Sequence, residues 1–149
     1  MNKKALFSGT FDPFTIGHHA IIKRALNFVD EIIIAIGINA GKKNLLSLEE
    51  RIFNVNKIYA EEKRIKVASY EGLTIDFAKE SSVDFILRGI RNINDFEYEK
   101  NMADANFKLS GIETVFLFSQ PEYSYISSSL VRELIHYKKD ISNLIPNIK

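Results

Sequence analysis

Short runs of β-branched and aromatic residues alternate with longer stretches of helical periodicity along the chain. Ala5–Ser8 predicts a first strand. Gly17–Phe28 predicts a helix, with Ala20, Ile21, Ala25 and Phe28 on one apolar stripe. Glu31–Ile38 contains Ile32-Ile33-Ile34-Ala35-Ile36, a continuous apolar run suited to a strand buried on both faces. Ser47-Leu48-Glu49-Glu50 is a capping box, so a helix is expected from Leu48 to about Glu61. Arg64–Ser69 predicts a third strand, Thr74–Glu80 a short helix, and Val83–Leu87 a fourth strand. Ile93 to about Leu109 predicts a long helix, and Thr114–Ser119 a fifth strand. Ser128–Lys138 predicts a helix with a serine N-cap candidate just before it. Asp140–Lys149 reads as one short helical turn ending near Pro146.

Five strands alternating with helices imply a parallel sheet with right-handed crossovers, the doubly wound α/β class. There are no repeats, low-complexity tracts or Pro/Gly-rich linkers, so residues 1–149 are expected to form a single domain. In this class, ligands bind outside the carboxyl ends of the strands, near the switch in strand order. The segments of interest are therefore 9–18, 39–46, 70–74, 88–92 and 119–129.

Composition narrows the function more than the fold. The 149 residues are 46% hydrophobic and 26% charged, in the ordinary globular range. The net charge of +1 shows no basic excess, so no nucleic-acid partner is expected. With no cysteine, disulfides, thiolate metal sites and cysteine nucleophiles are excluded. No apolar run reaches the roughly 18 residues of a membrane span, so no membrane partner is expected either. Met1–Phe7 begins like a signal peptide, but its apolar stretch stops at Ser8-Gly9 after three residues. A cytoplasmic location is the expectation.

Chemistry-bearing residues concentrate in the five post-strand segments. In the first, Gly9 lets the backbone turn and approach a ligand. Thr10 offers a hydroxyl. Gly17 and His18 fall at a helix N-terminus, where unpaired N–H groups and the dipole favour phosphate. In the second, Lys42 and Lys43 are either a solvated pair or a phosphate-drawing charge. In the third, Leu73 and Thr74 read equally well as core and N-cap or as ligand contacts. In the fourth, Arg88 ends a buried strand, which is costly without an anionic partner, and Arg91 adds a second fork-shaped donor. Asp95 and Glu99, four residues apart, share one helix face. In the fifth, the hydroxyls of Tyr123-Ser124-Tyr125-Ile126-Ser127-Ser128-Ser129 precede a helix and suit a triphosphate tail or a plain cap.

These segments carry a family resemblance, including Lys42 and the Tyr70–Thr74 turn, and it is most specific in three of them. GTFDPFTIGH, Gly9–His18, is similar to the signature of the nucleotidyltransferase superfamily, a Rossmann-like group. RGIRNINDFEYE, Arg88–Glu99, and YSYISSS, Tyr123–Ser129, resemble the corresponding stretches of phosphopantetheine adenylyltransferases, at nearly constant spacing over almost the whole chain. The resemblance implies transfer of AMP from ATP to 4′-phosphopantetheine, giving dephospho-coenzyme A and pyrophosphate. It implies that His18, Lys42 and Thr10 are catalytic. Nucleotide contacts would come from Thr10, Phe11, His18, Gly89, Ile90, Arg91, Glu99 and residues 123–129. Acceptor contacts would come from Thr10, Lys42, Leu73, Thr74 and Arg88, with Asp95 and Tyr98 as weaker carry-overs. Mg²⁺ would arrive with ATP, held mostly by phosphate oxygens and water, with no protein metal site. A homohexamer and feedback by coenzyme A are further implications.

Four departures stand out: Ser8 for a usual proline, Ile16 for asparagine, Tyr123 for tryptophan and His136 for arginine. The first two are expected to affect loop stiffness more than chemistry. Two other readings remain open here. One is a nucleotidyltransferase for nicotinamide mononucleotide or a phospho-alcohol. The other is a non-catalytic nucleotide sensor.

Overall fold

A computed structural model describes residues 2–147; the ends of the segments read above at Met1 and at Ile148-Lys149 lie outside the described residues. The strands are β1 (Lys4–Gly9), β2 (Glu31–Ile38), β3 (Ile65–Glu71), β4 (Phe85–Ile90) and β5 (Glu113–Phe118). The helices are α1 (Ile16–Ala25), α2 (Leu48–Ile58), α3 (Thr74–Glu80), α4 (Ile93–Ser110) and α5 (Ser128–His136). A short 3₁₀ turn at Pro121–Tyr123 was not expected.

All strand pairings are parallel, in the order β3-β2-β1-β4-β5. The first three strands run outward in one direction, and the chain then crosses to the other side of β1. The switch point therefore lies between β1 and β4, as the doubly wound class requires. Leu6, Ile32, Ile34, Ile36 and Leu87 are fully or almost fully buried, which is why their sequence lacks strand alternation. One core layer fills the space under α1 and α2, and another lies under α3. A third, smaller cluster joins Ile16, Ile126, Val131 and Leu144, so the tail docks against the start of α1 and α5.

Several boundaries differ from the pattern, each for a local reason. Helix α1 begins at Ile16 rather than Gly17, because Thr15 caps it. It stops at Ala25, and Phe28 sits in the following turn at 48% exposure rather than on the apolar stripe. Ile22, fully buried, takes that place in the core. Helix α2 stops at Ile58 rather than near Glu61, and α5 stops before Lys138, whose φ of 57° is left-handed. Strand β4 starts two residues later than expected and runs on through Arg88 and Gly89 to Ile90. Ser8 lies in strand β1, as the pattern predicts, and Ile16 opens α1 and packs in the third cluster, so neither departure falls in a loop whose stiffness it could change. Asp140 onward does form a single turn, closed by the Leu144 N–H on the Ile141 carbonyl.

Candidate active site

Two adjoining clefts open at the carboxyl edge of the sheet. The first, about 330 Å³, is lined by residues 7–11, Thr15, Gly17, His18, Lys42, Arg88, Gly89, Arg91, Asp95, Glu99 and 126–129. The second, about 610 Å³, takes in Gly37–Asn39, Tyr70, Leu73, Thr74, Tyr98 and Asn106. Ser8, Gly9, Thr10, Arg88 and Glu99 line both, so the β1/β4 switch point is their shared wall. No helix among the described residues is long and apolar enough to cross a membrane.

The first segment folds around His18. The His18 N–H donates to Thr15 Oγ1 at 3.3 Å, and the Thr15 N–H donates to His18 Nδ1 at 2.9 Å. This is a capping box with histidine in the position normally taken by glutamate or glutamine. Because Nδ1 accepts, the ring proton belongs on Nε2, at the other edge of the imidazole. Phe11 and Phe14 pack against the ring at centroid distances of 5.0 and 5.2 Å. Burial, with the charges of Arg88 and Arg91, lowers the His18 pKa to about 3. The group is thus a neutral, oriented donor. His19 turns elsewhere and bonds the Tyr59 hydroxyl at 2.9 Å, so the adjacent histidines do not converge.

The fourth segment places each arginine against a carboxylate from α4. Arg88 Nε and Nη2 donate to Glu99 at 2.9 and 2.6 Å, a bidentate pair, while Nη1 donates to the Ser8 carbonyl. Arg91 Nε donates to Asp95 at 3.0 Å. The acidic residues four apart on α4 are therefore two separate arginine anchors. Gly89 leaves little room, since a Cβ there would stand 3.2 Å from Ile21 Cγ1 of α1 and Ile21 would have to shift by a few tenths of an ångström. Ile90 is buried and lines neither of these clefts.

In the fifth segment Ser127 caps α5 through the Leu130 N–H at 3.0 Å, and Ser128 Oγ donates to the Pro13 carbonyl at 2.8 Å. Ser127–Ser129 and Ile126 line the first cleft, whereas Tyr123, Ser124 and Tyr125 do not. Leu73 is 61% exposed, so it is not a core residue, and Thr74 is the first residue of α3 rather than its cap. Thr74 Oγ1 instead bonds the Tyr70 hydroxyl at 2.7 Å in the second cleft. Lys42 is exposed at the rim of the first.

Three polar residues of the site were given no role in the sequence analysis. Arg132 lines the first cleft and donates to the Asp12 carbonyl at 2.9 Å and to Ser129 Oγ at 3.0 Å. Its spacing of one helical turn from Ser129 was the available signal. Arg51 is 3% exposed and reaches the Thr10 and Gly37 carbonyls at 2.8 and 3.1 Å. Asp12 is buried beneath the 39–46 segment.

Residues 6–134 match the cytidylyltransferase-like family model. The phosphopantetheine adenylyltransferase of Bacteroides fragilis is 54% identical over 144 residues, covering 97% of this chain and 96% of that one. The phosphopantetheine adenylyltransferase of Bacteroides thetaiotaomicron is 55% identical over 144 residues, covering 97% and 95%. The chain belongs to the phosphopantetheine adenylyltransferase family. Its fold also matches a bifunctional NMN adenylyltransferase/ADP ribose pyrophosphatase from Francisella tularensis, solved with AMP and a manganese ion. That match has a TM-score of 0.71 at 15% identity, with all of this chain on 46% of that one. The chain thus spans less than half of that bifunctional protein, and the likeness speaks for the fold alone. For a phosphopantetheine adenylyltransferase, two adjoining clefts with a shared cationic wall suit two phosphate-bearing substrates.

Proposed function

We propose that the chain, acting as one domain, transfers AMP from ATP to 4′-phosphopantetheine, and that the two clefts divide the substrates between them. A phosphate oxygen of phosphopantetheine attacks the α-phosphorus of ATP. The bond from that phosphorus to the bridging oxygen breaks, and pyrophosphate leaves. The nucleophile belongs to the substrate, so the protein supplies position and charge rather than a covalent residue.

The observation that carries this reading is His18: a neutral imidazole, fixed by its own helix cap, on a cleft wall that also holds Arg88 and Arg91. A preformed donor at the α-phosphate costs no reorganisation when charge develops there. Thr10 and Lys42 would act on the same phosphate and on the incoming one. Arg88 would hold the acceptor phosphate. Glu99 and Ser8 accept four bonds from this guanidinium, the weakest at 3.4 Å to Ser8 Oγ, which leaves at least one of its five N–H donors for a ligand. Leu73 and Thr74 would border the pantetheine arm in the second cleft. Phe11, Gly89, Arg91, Glu99 and the start of α5 would hold the nucleotide, the last through N–H groups that lack a helical acceptor. Ile90, Tyr123, Ser124 and Tyr125 would contribute backbone geometry.

Mg²⁺ fits as part of the ATP complex. Among the described residues no three histidines or acids converge as a metal site, and the cleft carboxylates of Asp95 and Glu99 are bound by arginines. Phosphate oxygens and water would hold the ion. Self-association is supported by α4, whose 18 residues include none that is buried, and which exposes Ile93, Phe96 and Phe107; the hexameric number is carried over from the family. Feedback by coenzyme A and a cytoplasmic location complete the reading carried over from the family. The test is pyrophosphate release from Mg²⁺-ATP with and without 4′-phosphopantetheine. Release that depends on the acceptor, with dephospho-coenzyme A formed, is expected. Bound ATP without release would move the assignment to a nucleotide sensor.

A further inference from the structure

Asp12 has no part in the reaction just described, yet it is one of the most completely buried polar residues, at 1% exposure. Its Oδ2 accepts the Leu45 N–H and its Oδ1 accepts the Leu46 N–H, both at 2.8 Å. Its own carbonyl accepts from Arg132 Nη1 at 2.9 Å, so the residue is held from α5 as well. Burying a carboxylate without a cation is costly unless its oxygens find donors. Here both donors come from one end of the segment that carries Lys42. At the other end, the Asn39 carbonyl accepts the Lys42 N–H at 3.1 Å, and the Asn39 side chain accepts the Gly41 N–H at 3.2 Å. The lysine backbone is thereby fixed between two ties, while its exposed side chain reaches the rim of the first cleft.

We propose that Asp12 is a positioning residue for adenylyl transfer: its carboxylate pins the 39–46 loop so that the Lys42 ammonium stands where the two phosphates meet. The proposal rests on the assignment of Lys42 to those phosphates. A long, flexible side chain on an untied loop loses much of its charge effect to conformational freedom. A tie three residues away restricts the backbone from which it reaches.

The test is a cycle of Asp12→Asn and Lys42→Ala on the full chain. Asparagine keeps one acceptor and turns the other toward an N–H as a donor. Asp12→Asn is expected to lower kcat roughly 10- to 100-fold, as for a misplaced catalytic group, with the KM values for ATP and phosphopantetheine little changed. In the Lys42→Ala background the same substitution should cost less than about twofold, because its route of action is already gone. An equal loss in both backgrounds overturns the proposal and leaves Asp12 a purely structural residue. Full turnover by Lys42→Ala alone overturns the lysine assignment first, and the Asp12 role with it. Hydrogen exchange of the unsubstituted chain supplies a check that needs no variant to fold. The Leu45 and Leu46 amides should exchange far more slowly than that of Lys43, and equal rates would sink the tie.

Discussion

His18 and the two arginines line the same cleft but are held by different kinds of partner. His18 is fixed by short-range bonds within its own helix cap and carries no charge. Arg88 and Arg91 are fixed by carboxylates 11 and four residues further on. The histidine therefore offers one donor whose direction is set before any ligand arrives. The arginines offer forks whose present partners are themselves anions. An incoming phosphate has to share them with Glu99 and Asp95, so binding is moderated at that wall and unopposed at His18. A site that must release two products gains from this difference, since a wall of unpaired arginines would also hold pyrophosphate.

The largest expected effect separates the ring of His18 from its cap. Glutamine is a natural capping-box residue at this helix position, so His18→Gln should still fold, keeping the cap and losing only the ring's packing on Phe11 and Phe14. Loss of the ring donor should lower kcat by about 10²–10³. Turnover within a few-fold of the parent would remove His18 from the chemistry. A smaller effect is expected at the arginine wall. Arg88→Ala should raise the KM for phosphopantetheine roughly tenfold or more, the scale of one charge-assisted contact, with less change in the KM for ATP. An unchanged acceptor KM would break the proposed division between the clefts.

The smallest effect is an expected absence. In the ligand-free chain the His18 ring should show no titration by NMR between pH 5 and 8, because its pKa stands near 3 against the usual 6.5. A midpoint near 6.5 would mean that the ring is neither buried nor tied as described. Between pH 6.5 and 3 the unfolded chain takes up this proton and the folded chain does not. The neutral ring's contribution is complete above pH 6.5 and declines as the pH falls through that window.

The number of strands and their parallel pairing were legible because the buried ones are nearly continuous in β-branched and other apolar residues. Phosphate chemistry was legible because glycines, serines and cations followed those strands. The far end of β4 was not. Arg88 looked like a strand terminator, but Glu99 and the Ser8 carbonyl satisfy its guanidinium, and the strand continues past it. Asp12 and Arg51 were unreadable for a related reason. The partners of their side chains are main-chain groups 14 to 41 residues away, with no side-chain pattern to announce them. Phe28 was misplaced because periodicity does not report where a helix stops.

The strand order also has a consequence for how the chain reaches its working form. Central β1 pairs with β2 about 27 residues later, at Ala5–Ile32, but with β4 only about 80 residues later, at Ala5–Phe85. During synthesis at roughly 5–20 residues per second, the first three strands and the Asp12 tie are available seconds before the wall that carries Arg88. The half with Thr10, His18 and Lys42 can condense early, while long-range pairing of this kind is slow to close. The cleft is completed only when β4 and then α5 have been made, and until β4 arrives the open flank of β1 is an unpaired edge in need of protection.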